Sequence, residues 1–162
     1  MIREATVDDS LAISEIYNYY VLHTIITFEE KEVSSEEFKH RIFNITSKYP
    51  WLVFEENKQV LGYAFASQWK VRSAYDRTVE GGIYIDHNSY GKGIGSLLYQ
   101  ELLTVLKEKQ FHAVLGGIAL PNERSIALHE KLGFQKVAEL KQVGLKFGKW
   151  IDVGYWEKLL ND

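Results

Sequence analysis

The chain has 162 residues, 46% of them hydrophobic and 14% aromatic, with a formal net charge of −3 and no cysteine. That length and apolar content suit one folded domain with a substantial core, and the slight acidic excess argues against a nucleic-acid partner, which needs a basic face. The missing cysteines exclude disulfides, thiolate metal sites and a cysteine nucleophile; no apolar run approaches the roughly 18–20 residues of a membrane span, and MIREATVDD lacks a signal-peptide pattern, so the expectation is a cytoplasmic protein with no membrane partner.

Ile2 to Ala5 reads as a short first strand. Thr6-x-x-Asp9 resembles a helix-capping start, and Leu11, Ile13, Ile16, Tyr17 and Tyr20 follow helical spacing. Thr24 to Glu29 breaks the pattern as a loop or short extended piece. Ser34-x-x-Glu37 is a capping box, in which the hydroxyl and the carboxylate each take one free N–H. It predicts a second helix with Phe38, Ile42, Phe43 and Ile45 inward, stopping before Pro50. Trp51 to Glu55 and Gln59 to Trp69, joined at Asn57-Lys58, read as an antiparallel hairpin. Lys70 to Arg77 is a polar and aromatic loop. Thr78 to Asp86 alternates as a strand. The helix opened by Gly93 carries Ile94, Leu97, Leu98, Leu102, Val105 and Leu106 at three- and four-residue spacings. Ala113 to Leu120 is an apolar strand, Asn122 to Leu132 a short helix ended by Gly133, and Phe134 to Leu145 and Lys149 to Leu159 are closing strands. The order β-α-α-β-β-β-α-β-α-β-β predicts an α/β or α+β domain over residues 1–162, with a sheet of about seven strands.

The chemistry concentrates between Thr78 and Leu98. Gly91, Gly93 and Gly95 sit where a turn feeds a helix, so unpaired N–H groups and the helix dipole favour an anion and no side chain blocks a phosphate. Just upstream, in mid-strand, stands Glu80, which partial desolvation makes a candidate base; the alternative is a structural acid paired with Arg72 or Arg77. Gly81-Gly82 inside a strand implies a bulge or a close ligand approach.

Strand, glycine turn, helix, strand and NERSIALHEKLGF together resemble the GNAT acetyltransferase superfamily. The turn Tyr90-Gly91-Lys92-Gly93-Ile94-Gly95 follows its acyl-CoA signature Q/R-x-x-G-x-G/A, with Tyr90 departing at the first position. IYNYYV, TFEEK, YPWLV, GYAFA, AYDRTVE, LPN, LHEKLGF and DVGYW resemble the phosphinothricin and methionine sulfone/sulfoximine N-acetyltransferases over nearly the whole chain. Arg77, Gly81, Gly82 and Phe147 depart from residues common in that group (Trp for Arg77, larger residues for the glycines, His for Phe147). The resemblance implies a GNAT-type mixed, mostly antiparallel sheet flanked by about four helices and splayed at its central strands. It also implies a homodimer, acetyl-CoA as co-substrate, and a small amine or amino acid as acceptor.

By the same resemblance, Glu80 is the catalytic glutamate, and His129 either the acid for the departing thiolate or a residue that orients substrate. Ile83, Tyr84 and Ile85 offer backbone to the pantetheine arm. Gly91, Lys92, Gly93, Ile94, Gly95 and Ser96, with Asn122 and Lys131, complete the cofactor site, although Asn122 is equally an N-cap. Phe28, Lys70, Val71, Arg72, Tyr75 and Gly82 face the acceptor, with Arg72 suited to a bidentate grip on a carboxylate. No metal is expected: His129-Glu130 begins an HExxH motif, but its fifth residue is Gly133. The expected reaction is direct transfer in a ternary complex to the α-amine of a small amino acid or analogue. Its alternatives are a polyamine or peptide N-terminus as acceptor, or a non-catalytic acyl-CoA-binding protein.

Overall fold

A computed structural model describes residues 1–161. Its strands are β1 (Ile2–Glu4), β2 (Trp51–Glu56), β3 (Gln59–Gln68), β4 (Thr78–Ile85), β5 (Ala113–Ala119), β6 (Gln135–Lys146) and β7 (Lys149–Leu159). Its α-helices are α1 (Ser10–His23), α2 (Ser35–Thr46), α3 (Ile94–Glu108) and α4 (Glu123–Lys131). The strands form one sheet in the order β1-β2-β3-β4-β5-β7-β6. Every neighbouring pair is antiparallel except β4 with β5, so the mixed, mostly antiparallel sheet expected from the sequence is present.

Period-two alternation divides the sheet into two faces. One face carries Val79, Val114, Ile118 and Trp156 and packs on Ile94, Leu98, Tyr99 and Leu102 of α3, with Ile126 and Leu128 of α4 against the same core. The other face carries Trp51, Val53 and Tyr63 and packs on Ile13, Tyr17, Phe38 and Ile42 of α1 and α2. Phe43, predicted inward, points out, and so do Leu11 and Leu97 among the apolar residues at helical spacing: all three are exposed. Phe43 lies five residues from Phe38, roughly 140° around the helix from it, which takes it off the stripe that Ile42 extends. The Ser34 cap is half of the predicted box. Its hydroxyl accepts from Glu37 N–H at 3.1 Å, but the Glu37 carboxylate turns to Arg41, an i,i+4 partner on the helix surface. At the chain start, Asp9 accepts from Thr6 N–H at 2.8 Å and takes both Arg3 Nη atoms at 2.8 and 2.9 Å. This pins β1 to the entry of α1.

The feature that positions the site is a partly opened ladder. β4 and β5 pair only at Thr78↔Ala113, Val79↔Val114 and Glu80↔Leu115. Beyond that point Gly81–Ile85 stays paired with β3 and Gly116–Ala119 with β7, while the two strands lose each other. The expected bulge at Gly81-Gly82 is absent: the β3–β4 register runs without a shift. The glycines answer to packing instead. A Cβ on Gly81 would collide with the Tyr99 phenol, and one on Gly82 would lie 2.7 Å from the Phe65 ring.

Candidate active site

The gap between β4 and β5 brings the two ionisable candidates to opposite faces of the sheet. Glu80 and Gly117 point to the α1/α2 face: a Cβ on Gly117 would lie 3.3 Å from Glu80 Oε1 and 3.1 Å from the Tyr155 ring. His129 reaches over Gly116 from α4 on the other face, where a Cβ would lie 2.5 Å from Nε2. A cavity of about 160 Å³ runs through the gap and is lined by both, with Ser67, Gly82, Ile83 and Asn122. A trough of about 430 Å³ opens from Glu80 along Tyr84, Val153 and Tyr155 to Phe28, Leu140 and Val143. Two parallel strands that separate therefore create a passage with an acid at one mouth and an imidazole at the other.

Glu80 is half-buried and, among the described residues, has no ion-pair partner within 4 Å, so the structural pairing with Arg72 or Arg77 is not made. Arg77 instead donates to the Gln110 carbonyl at 2.7 Å. Burial raises the Glu80 carboxyl above the ordinary carboxylate range, and the positive charge of Lys70 draws it partly back. The result is a desolvated carboxylate whose affinity for a proton is increased.

His129 is 4% exposed. Its Nδ1 lies 2.7 Å from the Ser125 carbonyl, which only accepts, so the ring proton is assigned to Nδ1. Burial lowers the imidazole pKa. Nε2 therefore carries a lone pair, and the neutral ring presents an acceptor to the gap. Tyr99 packs edge-on to this ring at 5.0 Å, and its buried hydroxyl has no hydrogen-bond partner among the described residues. Sequence reading misses Tyr99: its place on the buried stripe of α3 marks it as core, and nothing in the spacing reveals an unsatisfied hydroxyl beside the strand gap.

The backbone of β4 alternates too. Asp86 N–H bonds the Leu61 carbonyl at 2.8 Å; in unshifted register, Tyr84 and Gly82 also turn their amides to β3, and Gly81, Ile83 and Ile85 turn theirs to the gap. Of the three backbone candidates, Ile83 and Ile85 thus face the opening and Tyr84 does not. The Ile85 carbonyl is taken by the Tyr20 hydroxyl.

A further cavity of about 280 Å³ lies between α3 and α4, lined by Ile85, Gly91, Gly93, Ile94, Gly95, Ser96 and Lys131. Gly91 and Gly93 have φ of +80° and +76°, which glycine adopts without the penalty of a Cβ, and a Cβ on either would meet nothing within 4 Å. The turn is open above its amides, and the first N–H groups of α3 point outward. This fits a diphosphate. Lys131 reaches Ser96 Oγ at 3.3 Å across the cavity. Lys92 is exposed and does not line it.

Residues 2–154 match the acetyltransferase (GNAT) domain family. The chain belongs to the GNAT acetyltransferase family. It is 38% identical to a phosphinothricin N-acetyltransferase of Streptomyces viridochromogenes, over 97% of this chain and 86% of that protein. It is 36% identical to the L-methionine sulfoximine/L-methionine sulfone acetyltransferase of Salmonella typhimurium, over 99% and 95% of the two chains. The fold matches the crystal structure of a phosphinothricin acetyltransferase from Sinorhizobium meliloti in complex with acetyl-CoA. The TM-score there is 0.95 and the identity 36%, covering 99% of this chain and 88% of that one.

Within this GNAT domain the acceptor candidates divide. Phe28 lines the trough and packs against Gly144, and Gly82 lines the gap. Asn122 lines the gap and caps α4, accepting from Ser125 N–H at 3.2 Å. Lys70, Val71, Arg72 and Tyr75 lie on the loop between β3 and β4, exposed, with Val71 83% accessible, and line none of the cavities described. Lys70 acts on the site through its charge on Glu80. Ile26 and Thr27, which close the trough from the α1–α2 loop, are not found by sequence reading, since an irregular loop gives no period by which to orient its side chains.

Proposed function

We propose that the enzyme transfers acetyl from acetyl-CoA to the α-amine of a small amino acid or analogue, of the phosphinothricin and methionine sulfone or sulfoximine kind, within one ternary complex. The observation that carries this reading is an unpaired, desolvated Glu80 between the glycine-lined anion cavity and the trough. Acetyl-CoA would lie from the α3 turn to the gap, held by the amides of Gly91–Ser96 and the free backbone of Ile83 and Ile85, and supplies the activated acyl carbon. The trough receives the acceptor. Its lining of Phe28, Leu140, Val143 and Val153 is apolar, so within that class it favours the uncharged sulfone or sulfoximine side chain over the anionic phosphinate of phosphinothricin.

Glu80 takes one proton from the ammonium, which frees the nitrogen lone pair to attack the thioester carbonyl. Ile83 N–H stands ready to hydrogen-bond the oxygen as it gains charge. When the C–S bond breaks, the second amine proton neutralises the departing sulfur. His129, with its proton committed to Ser125, serves as an acceptor that orients a bound N–H or S–H rather than as the acid.

Exposed apolar residues on the β6–β7 hairpin, Leu145, Phe147 and Trp150, support a homodimer, and the need for acetyl-CoA supports a cytoplasmic setting. The experiment is CoA thiol release across methionine sulfone, methionine sulfoximine, phosphinothricin, ordinary amino acids, a polyamine and a peptide, with Glu80→Gln as control. Turnover confined to α-amino acids and lost in the variant is expected. Turnover only on polyamine or peptide overturns the acceptor, and tight acetyl-CoA binding with no turnover on any of them favours a binding protein.

A further inference from the structure

The first position of the acyl-CoA signature, Gln or Arg in the pattern, is Tyr90 here, and a phenol supplies neither an amide nor a cation. Its surroundings show what takes over. The single Tyr20 proton goes to the Ile85 carbonyl, which only accepts; the Tyr90–Tyr20 contact is therefore made with Tyr90 as donor. This chain of hydrogen bonds fixes the Tyr90 ring against β4. The guanidinium of Arg124 lies over that ring, 3.8 Å from its centroid, close enough for a cation–π contact. Arg124 stands in the first turn of α4, where the helix dipole opposes a cation. Among the described residues it has neither an ion-pair partner nor a hydrogen bond. It lines the cavity of Gly91, Gly93 and Gly95, and also the smaller one beside Ile83 and Asn122. An unpaired guanidinium, held on an aromatic platform at the unfavourable end of a helix, faces the open amides of another helix.

We infer that Arg124 is a diphosphate ligand of this enzyme, carried on Tyr90 and supplying the side-chain contact that position 90 supplies in the signature. The inference rests on the acetyl-CoA reading above. A guanidinium offers two parallel N–H donors to phosphate oxygens, and stacking limits the freedom it loses on binding. Tyr90 and Tyr20 are positioning residues for it.

The test is calorimetric binding of CoA and of dephospho-CoA, which lacks the 3′-phosphate. Arg124→Ala is expected to weaken both ligands by the same factor, roughly tenfold, the scale of one charge-assisted contact. Arg124→Lys should fall between, because it keeps charge and loses the fork. Tyr90→Gln restores the signature residue and should recover affinity in the Arg124→Ala background; Tyr90→Ala, which removes the platform, should not. Circular dichroism and melting of each variant report folding separately. Unchanged CoA affinity in Arg124→Ala overturns the inference and leaves the cofactor reading intact. Weakening for CoA alone also overturns it, since the contact would then be to the 3′-phosphate. A wild-type protein that binds neither ligand overturns the cofactor reading, and this inference with it.

Discussion

The sheet has a half that is covered on both faces and a half that is not. From β1 to β4, α1 and α2 close one face over Trp51, Val53 and Tyr63, and α3 closes the other over Leu52, Ala64 and Ala66. Across β5 and β7 the α3/α4 face is closed by the same core, through Val114, Ile118 and Trp156. The opposite face is met by the loop segment Ile26–Phe28 and, at Tyr155, by the edge of Trp69, which leaves Gly117 exposed and the trough open. The strand pairing stops at the border between the halves, immediately after Glu80. Burial on both sides builds stability, and the candidate site sits where the ladder ends and one cover is missing. There a carboxylate is dry enough to bind protons tightly and still reachable.

The largest effect should come from the border itself. Glu80→Gln should lower kcat by about 10²–10⁴, the usual worth of a positioned base, with acetyl-CoA affinity unchanged in a binding titration. The sign of its stability effect runs the other way. A carboxyl whose folded pKa is raised binds its proton more tightly in the native state, so stability falls as pH rises from the unfolded value through the folded one. At neutral pH the charge is a cost, and the Gln variant should melt higher while turning over less. The acid limb of kcat/KM should accordingly lie above the ordinary glutamate value of about 4.3; a limb at or below that value would remove Glu80 from the base's role. Next in size is Gly117→Val, whose added atoms meet Tyr155 and Glu80. It should cut kcat/KM for the acceptor by up to about 10²-fold, as misplacement by an ångström does, and spare CoA binding.

Most of the covered half was legible in the sequence, because its signals are local. Phe38 and Ile42 recur at helical spacing, Ser34 caps, and Asn57-Lys58 turns with φ of 52° and 64°. The glycine turn was legible for the same reason, since positive φ at Gly91 and Gly93 favours that residue. What escaped depends on partners far away in the chain. Gly81 and Gly82 read as a bulge, but they make room for Tyr99 and Phe65. The gap that was expected arises because β4 and β5 keep their other partners and drop each other, which no single segment records. The Tyr20–Tyr90–Arg124 stack joins three segments in the same way. Its place in mid-strand pointed to Glu80 and the resemblance to a family pointed to His129, and only the fold sets them on opposite faces.

The covered half can be weakened without touching the chemistry. Asp9→Asn leaves the Arg3 fork half-satisfied. Because Asp9 is buried but Arg3 keeps about a third of its side chain in water and retains Glu55, the loss should be about 1–2 kcal/mol rather than that of a fully buried pair. Arg3 holds the Asp9 carboxyl below its usual range against the opposing effect of burial. This stability is present above the unfolded carboxylate value and is lost as pH falls through the lowered folded one. Urea melts at two pH values check it, with kcat at low temperature expected to stay at wild type.

The smallest effect should come from a hydrogen-bonded tie across the open half. Lys146 is 1% exposed and donates to the Thr27 carbonyl at 2.7 Å, and burial lowers its pKa. The ammonium thus fastens the α1–α2 loop to β6, where Phe28 packs on Gly144 and closes the trough. Lys146→Met keeps the stem and removes the bond. A buried cation is costly to hold, so the melting temperature should barely move. The acceptor KM should rise about three- to tenfold, the worth of one hydrogen bond of about 1 kcal/mol, while CoA affinity stays constant. A lower melting temperature with an unchanged acceptor KM would make the tie structural and would separate the loop from recognition. The expected split would show that the open half is closed by the loop that selects the acceptor.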